Sequence, residues 1–97
     1  MVVDKPYHDQ VLDEHKRVRT FSTSDNLSDL VWHRDHHDRT VKVLEGDGWQ
    51  FQFDNQLPFD LAAGTVLQIP AGVYHRLLAG HSQLTIEIVE QLSTDLD

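Results

Sequence analysis

The sequence predicts an all-β domain, and three features of its 97 residues indicate this class. Short segments of β-branched, aromatic and aliphatic residues recur at regular intervals, separated by residues typical of turns. The clearest segment, residues 49–54, alternates strictly, with Trp49, Phe51 and Phe53 on one face and polar residues on the other. No stretch has the convincing spacing of an amphipathic helix. About seven or eight such strands are typical of a sandwich or a barrel.

The predicted strands follow a polar N-terminal segment at residues 1–15, where we expect mostly irregular structure. The first strand is predicted at residues 16–21, with Val18 as the marker of the face that points inward. The Asp-Gly pair within residues 45–48 predicts a hairpin. The strands after the first are predicted at residues 30–33, 40–44, 49–54, 59–61, 66–69, 74–79 and 84–89.

Length and composition indicate one small domain. We assign it to residues 16–91, between the polar segment at 1–15 and a polar tail at 92–97. The absence of cysteine excludes a disulfide framework, a thiolate zinc site and a catalytic thiol. No segment resembles a signal peptide or a membrane span, so we expect a cytoplasmic location. A net charge of −8 argues against nucleic acid and membranes as partners.

The stretch most informative about function runs from Gly64 to His75. Gly64 can take the positive φ of a tight turn, and an apolar strand then runs to Ile69. Pro70 ends that strand because it has no N–H to donate, and Gly72 allows the backbone to reverse. His75 therefore lies near the start of the next strand, where its side chain can point inward.

The spacing of these glycines, the proline and His75 resembles the second motif of the cupin superfamily. The family motif usually ends with Asn four residues after the histidine, where this chain has Ala79. The resemblance covers about residues 18–90. It implies a single-domain cupin β-barrel, also described as a double-stranded β-helix or jelly roll, with a pocket between two curved sheets.

The first cupin motif is present in altered form. The family usually has His-x-His, then Glu, then Gly, and this chain has His33, Asp35, Arg39 and Gly46 at the matching positions. A glycine is also expected six residues before the first histidine, where this chain has Leu27. The second histidine and the glutamate of the family pattern are therefore replaced.

The resemblance implies a divalent metal ion (Fe, Zn, Ni or Mn) held in the pocket by His33, Asp35 and His75. Two histidines and one carboxylate have the composition of a facial triad, which leaves coordination positions open for a substrate and dioxygen. His-x-Asp is by itself a common tripeptide. Its position on the first cupin motif is what makes the metal site a specific prediction.

Arg39 departs most from the metal-binding cupins, in which a glutamate usually completes the coordination shell. Arginine cannot bind a cation. Either the metal has been lost and Arg39 grips a carboxylate or phosphate of the substrate, or Asp35 has replaced the glutamate and Arg39 pairs with Asp35 or the substrate. The second interpretation is favoured because a carboxylate remains in the motif. In both, Arg39 is the predicted substrate-anchoring catalytic residue.

Residues 34–39 have a further interpretation, as a solvated loop of mixed charge in which Asp35 and Arg39 form only a salt bridge. A bulge near residues 35–38 would decide whether His36 or His37 faces the pocket, so neither is assigned as a ligand.

Two aromatic features have both structural and functional interpretations. Trp49, Phe51 and Phe53 form either a ligand-facing wall or, as is more usual, core. Trp32 is adjacent to His33 and should face outward, which predicts a homodimer interface.

The cupin fold does not by itself select a reaction, because cupins include dioxygenases, isomerases, lyases and decarboxylases. The first prediction is a metal-dependent enzyme that acts on a small molecule, a non-haem iron oxygenase or an isomerase. The alternative is a non-catalytic cupin, a sensor or storage module, that binds a small ligand without metal. A third is a structural or interaction protein whose pocket is packed shut.

Overall fold

The computed structural model describes residues 7–22 and 32–91, which form eight strands. The all-β prediction is confirmed. The predicted tail at 92–97, Leu27 of the first motif and the strand start at Leu30 lie outside the described residues. The strands are β1 Tyr7–Val11, β2 Lys16–Phe21, β3 Asp38–Glu45, β4 Gln50–Phe53, β5 Phe59–Asp60, β6 Val66–Ile69, β7 His75–Leu78 and β8 Leu84–Gln91.

The strands form two antiparallel sheets. A five-stranded sheet has the order β1-β2-β8-β3-β6, and a three-stranded sheet has the order β5-β4-β7. His33 adds a single antiparallel bridge to His75, at the start of β7. No helix in the described part of the chain is long and apolar enough to cross a membrane. Closure of the two sheets into a complete barrel stays a prediction.

The core consists of the apolar residues at alternate positions of both sheets. In β8, for example, Leu84, Ile86 and Ile88 are buried while the residues between them are less so. Each such side chain contributes about 1.5–3 kcal/mol of transfer free energy when fully buried. The core residues are Phe21, Val41, Val43, Trp49, Phe51, Leu61, Leu67, Ile69, Leu77, Leu84, Ile86 and Ile88.

The turn at residues 45–48 is not the predicted hairpin, because it connects β3 in one sheet to β4 in the other. Trp49 is completely buried, and its Nε1 donates to the carbonyl oxygen of Ser82 at 2.6 Å. The backbone N–H of His81 donates to the carbonyl oxygen of Asp47 at 2.8 Å. Burial of the tryptophan and these bonds to a distant turn direct the chain into the second sheet.

The N-terminal segment also differs from the irregular structure expected for it. Residues 7–11 form β1, which pairs with β2 from Tyr7 opposite Phe21 to Val11 opposite Arg17. The Asp13 carboxylate accepts hydrogen bonds from the backbone N–H groups of His15 and Lys16 and closes the turn between the strands. Pairing along the whole of β2 therefore outweighs the weak periodicity of this segment.

Candidate metal centre

The turn after β6 is built by local rules and holds the loop of the first motif. β6 ends at Ile69, directly before Pro70, as predicted. Gly72 has φ +82°, a conformation that favours glycine, and its N–H donates to the carbonyl oxygen of Asp35 at 2.9 Å. The N–H of Ala71 donates to the Asp38 carboxylate at 2.7 Å. The two motifs are therefore joined through backbone donors of this turn.

His33 and His75 meet between the sheets, although they lie far apart in the sequence. Each donates its backbone N–H to the carbonyl oxygen of the other, at 3.1 and 2.9 Å. Their ring centroids are 4.4 Å apart, in an edge-to-face arrangement. The His75 ring also stacks on Phe51, with centroids 5.4 Å apart, and His75 is only 3% exposed. The histidines of the two motifs therefore lie side by side.

Asp35 completes the group. One ligand atom from each of His33, Asp35 and His75 lies within 4.8 Å of the others, a cluster that can hold a metal ion. Nε2 of His75 lies 3.3 Å from Oδ2 of Asp35. These are the three residues that the sequence resemblance implies.

The tautomer of His75 follows from the hydrogen-bond partner of its Nδ1. Nδ1 lies 2.9 Å from the carbonyl oxygen of Val73, which can only accept a hydrogen bond, so Nδ1 carries a proton. In the neutral ring, Nε2 therefore presents a lone pair to the Asp35 carboxylate. Oδ2 of Asp35 is buried and accepts no well-formed hydrogen bond from any described residue. Two electron-rich atoms at this distance need a cation between them, either a proton on Nε2 or a metal ion.

Asp35 is held as a carboxylate. Burial raises the pKa of its carboxyl, but contact with the His75 ring and the positive charge of Arg39 outweigh burial and hold that pKa below its ordinary value of 3.8. NH1 of Arg39 lies 3.4 Å from Oδ2 of Asp35. A carboxylate is the form of this side chain that binds a metal ion.

Arg39 is fixed from its other side by Glu90. Its Nε and NH2 both donate to Oε2 of Glu90, at 3.1 and 3.0 Å. The guanidinium therefore contacts two carboxylates: its pairing with Asp35 was one of the interpretations of the sequence, and its pairing with Glu90 was not. Whether Arg39 also anchors a substrate stays a prediction.

An ion-pair network continues from Glu90 across the sheet, and the sequence analysis missed it. NH2 of Arg17 donates to Oε1 of Glu90 at 2.8 Å, and NH1 of Arg17 lies 3.8 Å from Asp9. Arg19 binds the Asp9 carboxylate through both Nε and NH2, at 2.8 and 3.0 Å. Val18 is the wrong marker for the inward face of β2, because Phe21 is buried and shares its face with Arg19. The apolar side chain of Phe21 was the sequence feature that could have indicated the inward face of β2, and with it the inward position of Arg19.

A cavity of about 50 Å³ lies between the sheets and beside this group. His33, His75 and Arg39 are in its wall, so part of the predicted site faces it directly. The remaining wall residues are Arg19, Phe21, Val41, Phe51, Leu61, Leu67, Ile69, Leu77, Ile86 and Ile88.

The other residues that the sequence offered as functional candidates lie outside the metal cluster. His36 is exposed, and neither it nor His37 belongs to the group of possible metal ligands. Trp49 and Phe51 are core residues, although Phe51 also lines the cavity. Trp32 is 40% exposed, with the Arg76 guanidinium 4.7 Å from its ring centroid. It faces outward as predicted, and the dimer itself stays a prediction.

Comparison with solved structures identifies the fold. A cupin-2 domain containing protein from Shewanella frigidimarina is 23% identical, with a TM-score of 0.64 over 93% of this chain and 85% of that chain. A cupin domain from Bordetella pertussis is 18% identical, with a TM-score of 0.61 over 94% of this chain and 100% of that chain. Fe(II) HppE is 17% identical, with a TM-score of 0.63 over 78% of this chain and 41% of that chain.

No family model matches the chain, and no curated protein matches its sequence. The structural likeness nevertheless shows that the chain has the cupin fold, which confirms the resemblance predicted from the two motifs.

Proposed function

We propose that this protein is a metal-dependent cupin that acts on a small molecule, with His33, Asp35 and His75 as the metal ligands. The observation that carries the proposal is the buried Oδ2 of Asp35, which lies 3.3 Å from Nε2 of His75 and has, among the described residues, a 3.4 Å contact with Arg39 but no well-formed hydrogen bond. A divalent ion between these atoms would satisfy both.

The spacing of the donor atoms fits a shared ion. Two donors at about 2.1 Å from one ion, seen from it at a right angle, lie roughly 3.0 Å apart. The observed 3.3 Å between His75 and Asp35 is close to that value. All three ligand atoms lie within 4.8 Å of one another, so small side-chain shifts would bring them around one ion.

Iron is the metal that the donor set favours. Two imidazoles and one carboxylate are the ligands of non-haem iron oxygenases, and a bound iron would supply open positions for a small substrate and dioxygen. One structure with the same fold contains Fe(II). We therefore infer an iron-dependent oxidation, carried out in a cupin barrel that the two sheets form.

The protein itself contributes orientation and exclusion of water. The hydrogen bond from Nδ1 of His75 to Val73 and the stacking of Phe51 fix the direction of the Nε2 lone pair. Arg39 holds the Asp35 carboxylate in its ionised form. Apolar side chains form most of the remaining cavity wall, which limits the water that can reach a bound substrate.

A second candidate function is ligand binding without metal. The observation that favours it is Arg39, which already gives Asp35 a cationic partner, and a protonated His75 would give it another. In that case the cluster is an internal ion pair, and the cavity holds a small molecule that is not transformed. Metal analysis separates the two functions.

The test is metal binding by protein purified without a histidine tag. After incubation with Fe(II) under anaerobic conditions and dialysis, we expect about one equivalent of retained metal, which Asp35→Asn should lose. His36→Ala is the matched control, because His36 is a neighbouring histidine outside the cluster, and it should retain the metal. Bound Co(II) should give a visible absorption spectrum that Asp35→Asn abolishes. If the wild type retains no more metal than Asp35→Asn, the proposed site does not exist.

A further inference from the structure

The cavity wall carries positive charge and no negative charge. Two guanidinium groups, those of Arg19 and Arg39, line it together with His33 and His75. All the other residues that line it are apolar, so no carboxylate of the described residues is in the wall. A cavity of this composition suits an anion with an apolar remainder and disfavours a cation.

The acids that pair with these arginines lie outside the cavity wall. Asp9 binds Arg19 through two nitrogens, and Glu90 binds Arg39 through two. The ring of Tyr7 lies 3.6 Å from the guanidinium carbon of Arg19. Both guanidinium groups are therefore held in place before a ligand arrives, so a ligand would not have to meet the cost of ordering them.

Stability does not explain Arg19. It is only 8% exposed and occupies an inward position of β2, two residues before the core residue Phe21. Buried ion pairs are often no better for stability than apolar side chains of similar volume. An arginine in the wall of a cavity is suited to the recognition of an anionic ligand.

The charge of the network becomes favourable to an anion when a metal is bound. Three arginines at positions 17, 19 and 39 are balanced by Asp9, Asp35 and Glu90. A divalent ion on Asp35 would leave two positive charges in excess, next to the cavity. A monoanion would neutralise part of that excess.

The volume of the cavity limits the size of the ligand. A cavity of about 50 Å³ accommodates roughly three to five non-hydrogen atoms. Acetate and propionate have this size and combine one carboxylate with a short alkyl group. Longer fatty acids exceed it.

We propose that the cavity binds a short-chain monocarboxylate, with its carboxylate facing Arg19 and Arg39 and its alkyl group against the apolar wall. This inference rests on the proposed function, because it assigns the substrate class of that same site. The carboxylate recognises the two guanidinium groups, and the volume and apolar wall select the short chain.

The test is a titration of ¹⁵N-labelled protein, followed by NMR, with sodium propionate and with propionamide, a neutral molecule of the same shape. Propionate should cause saturable shifts of the Nε–H signals of Arg19 and Arg39, with a dissociation constant in the millimolar range or lower. Propionamide should bind at least about tenfold more weakly. Sodium chloride keeps the ionic strength constant. Equal binding of the two molecules, or no saturable shift with propionate, overturns the inference.

Two further ligands examine the size limit and the chemical class. Hexanoate should bind much more weakly than propionate, because its alkyl chain exceeds the cavity. Inorganic phosphate should also bind more weakly, because it has no apolar part to place against the wall. Binding of either one as tightly as propionate contradicts the assignment.

Two variants form a matched pair within the ion-pair network. Arg19→Gln should weaken propionate binding about tenfold. Arg17→Gln removes a guanidinium that pairs with Asp9 and Glu90 but does not line the cavity, so it should weaken binding clearly less than Arg19→Gln does. Equal losses in both variants would contradict direct recognition. If Arg19→Gln does not fold, the comparison of propionate with propionamide on the wild type decides.

The same titrations on metal-free and Zn(II)-loaded protein separate this inference from the proposed function. Discrimination of propionate from propionamide in a protein that takes up no metal supports the carboxylate site and refutes the metal site. Uptake of metal without that discrimination supports the metal site and refutes the carboxylate site.

Discussion

The two segments that form the candidate metal centre are specified in different ways. Residues 64–75 follow rules that act within the segment: a glycine at positive φ, a strand that ends before proline, a turn and a buried histidine. Residues 33–39 form one bridge, a loop and the start of β3, and Asp35 is positioned by Arg39, which is in turn held by Glu90. The comparison teaches that one half of the site depends on local backbone geometry, and the other on ion pairs with a distant strand.

The largest expected effect on metal binding and stability comes from removing His75, the histidine of residues 64–75. His75→Ala should abolish metal uptake and lower the free energy of unfolding by about 2–3 kcal/mol, because a buried ring stacked on Phe51 is lost. Equilibrium dialysis with metal analysis and urea unfolding measure the two effects. His37→Ala, a control outside the cluster, should change neither. Unchanged metal content in purified His75→Ala protein would contradict the ligand assignment.

The segment that depends on ion pairs, residues 33–39, is tested by Glu90→Gln. Loss of the negative charge weakens the pairing with Arg39, whose Nε and NH2 both donate to Oε2 of Glu90, so Asp35 is less well oriented and metal affinity should fall about tenfold or more. Competition with a metal-binding dye measures the affinity. Glu87→Gln on the outer side of the same strand is the control, because the salt bridge of Glu87 within residues 7–22 and 32–91 is to Lys16, at 3.8 Å, and not to Arg39. Equal metal affinities of the two variants would show that the network does not position Asp35.

A smaller effect on stability is expected from replacing Gly64 or Gly72, the two glycines of residues 64–75, with alanine. Gly64 and Gly72 have φ of +93° and +82°, and an added Cβ meets no atom within 4 Å at either position. Each substitution should therefore destabilise the fold by about 1–2 kcal/mol through backbone strain alone. Denaturant unfolding measures this cost.

The same two variants should differ in metal affinity. The N–H of Gly72 donates to the carbonyl oxygen of the ligand Asp35, whereas the N–H of Gly64 donates to that of Val43, which is not a ligand, so Gly72→Ala should also weaken metal binding while Gly64→Ala should not. Equal metal affinity in both variants would mean that the turn does not influence Asp35.

The smallest expected effect on the site itself comes from Trp32, next to His33. If the outward face around Trp32 forms the predicted homodimer, Trp32→Ser should convert the dimer to a monomer, with little change in metal content. Size-exclusion chromatography with light scattering measures the mass. Leu57→Ser, an equally simple loss of an exposed apolar side chain, should leave the dimer intact. A monomeric wild type would show that the dimer prediction is wrong.

The parts of the molecule that could be predicted from the sequence are those whose conformation is set by residues within the same segment. Alternation in residues 49–54 and the positions of Gly64, Pro70 and Gly72 sufficed for the strands and the turn that delivers His75. The cluster of His33, Asp35 and His75 was implied by the resemblance to cupin motifs, and the structure brings these residues together.

The parts that were missed depend on long-range pairing. The Asp-Gly turn has the same local preference whether it closes a hairpin or connects two sheets, and burial of Trp49 decides between them. Val18 suggested the wrong face of β2, and the register with β8, which sets Arg19 opposite Ile86, turns Arg19 inward. Glu90 therefore acquires its role only when strands from both ends of the chain are adjacent.

The central claim is that one metal ion binds between the two motifs. The most direct measurement is anomalous diffraction, at the absorption edge of the metal, from crystals of untagged protein grown with Fe(II) or Zn(II). We predict one peak at about 2.0–2.2 Å from a ring nitrogen of His33, Nε2 of His75 and an oxygen of Asp35. A metal-loaded crystal with no peak between these three residues, or with its peak at another histidine, would contradict the account.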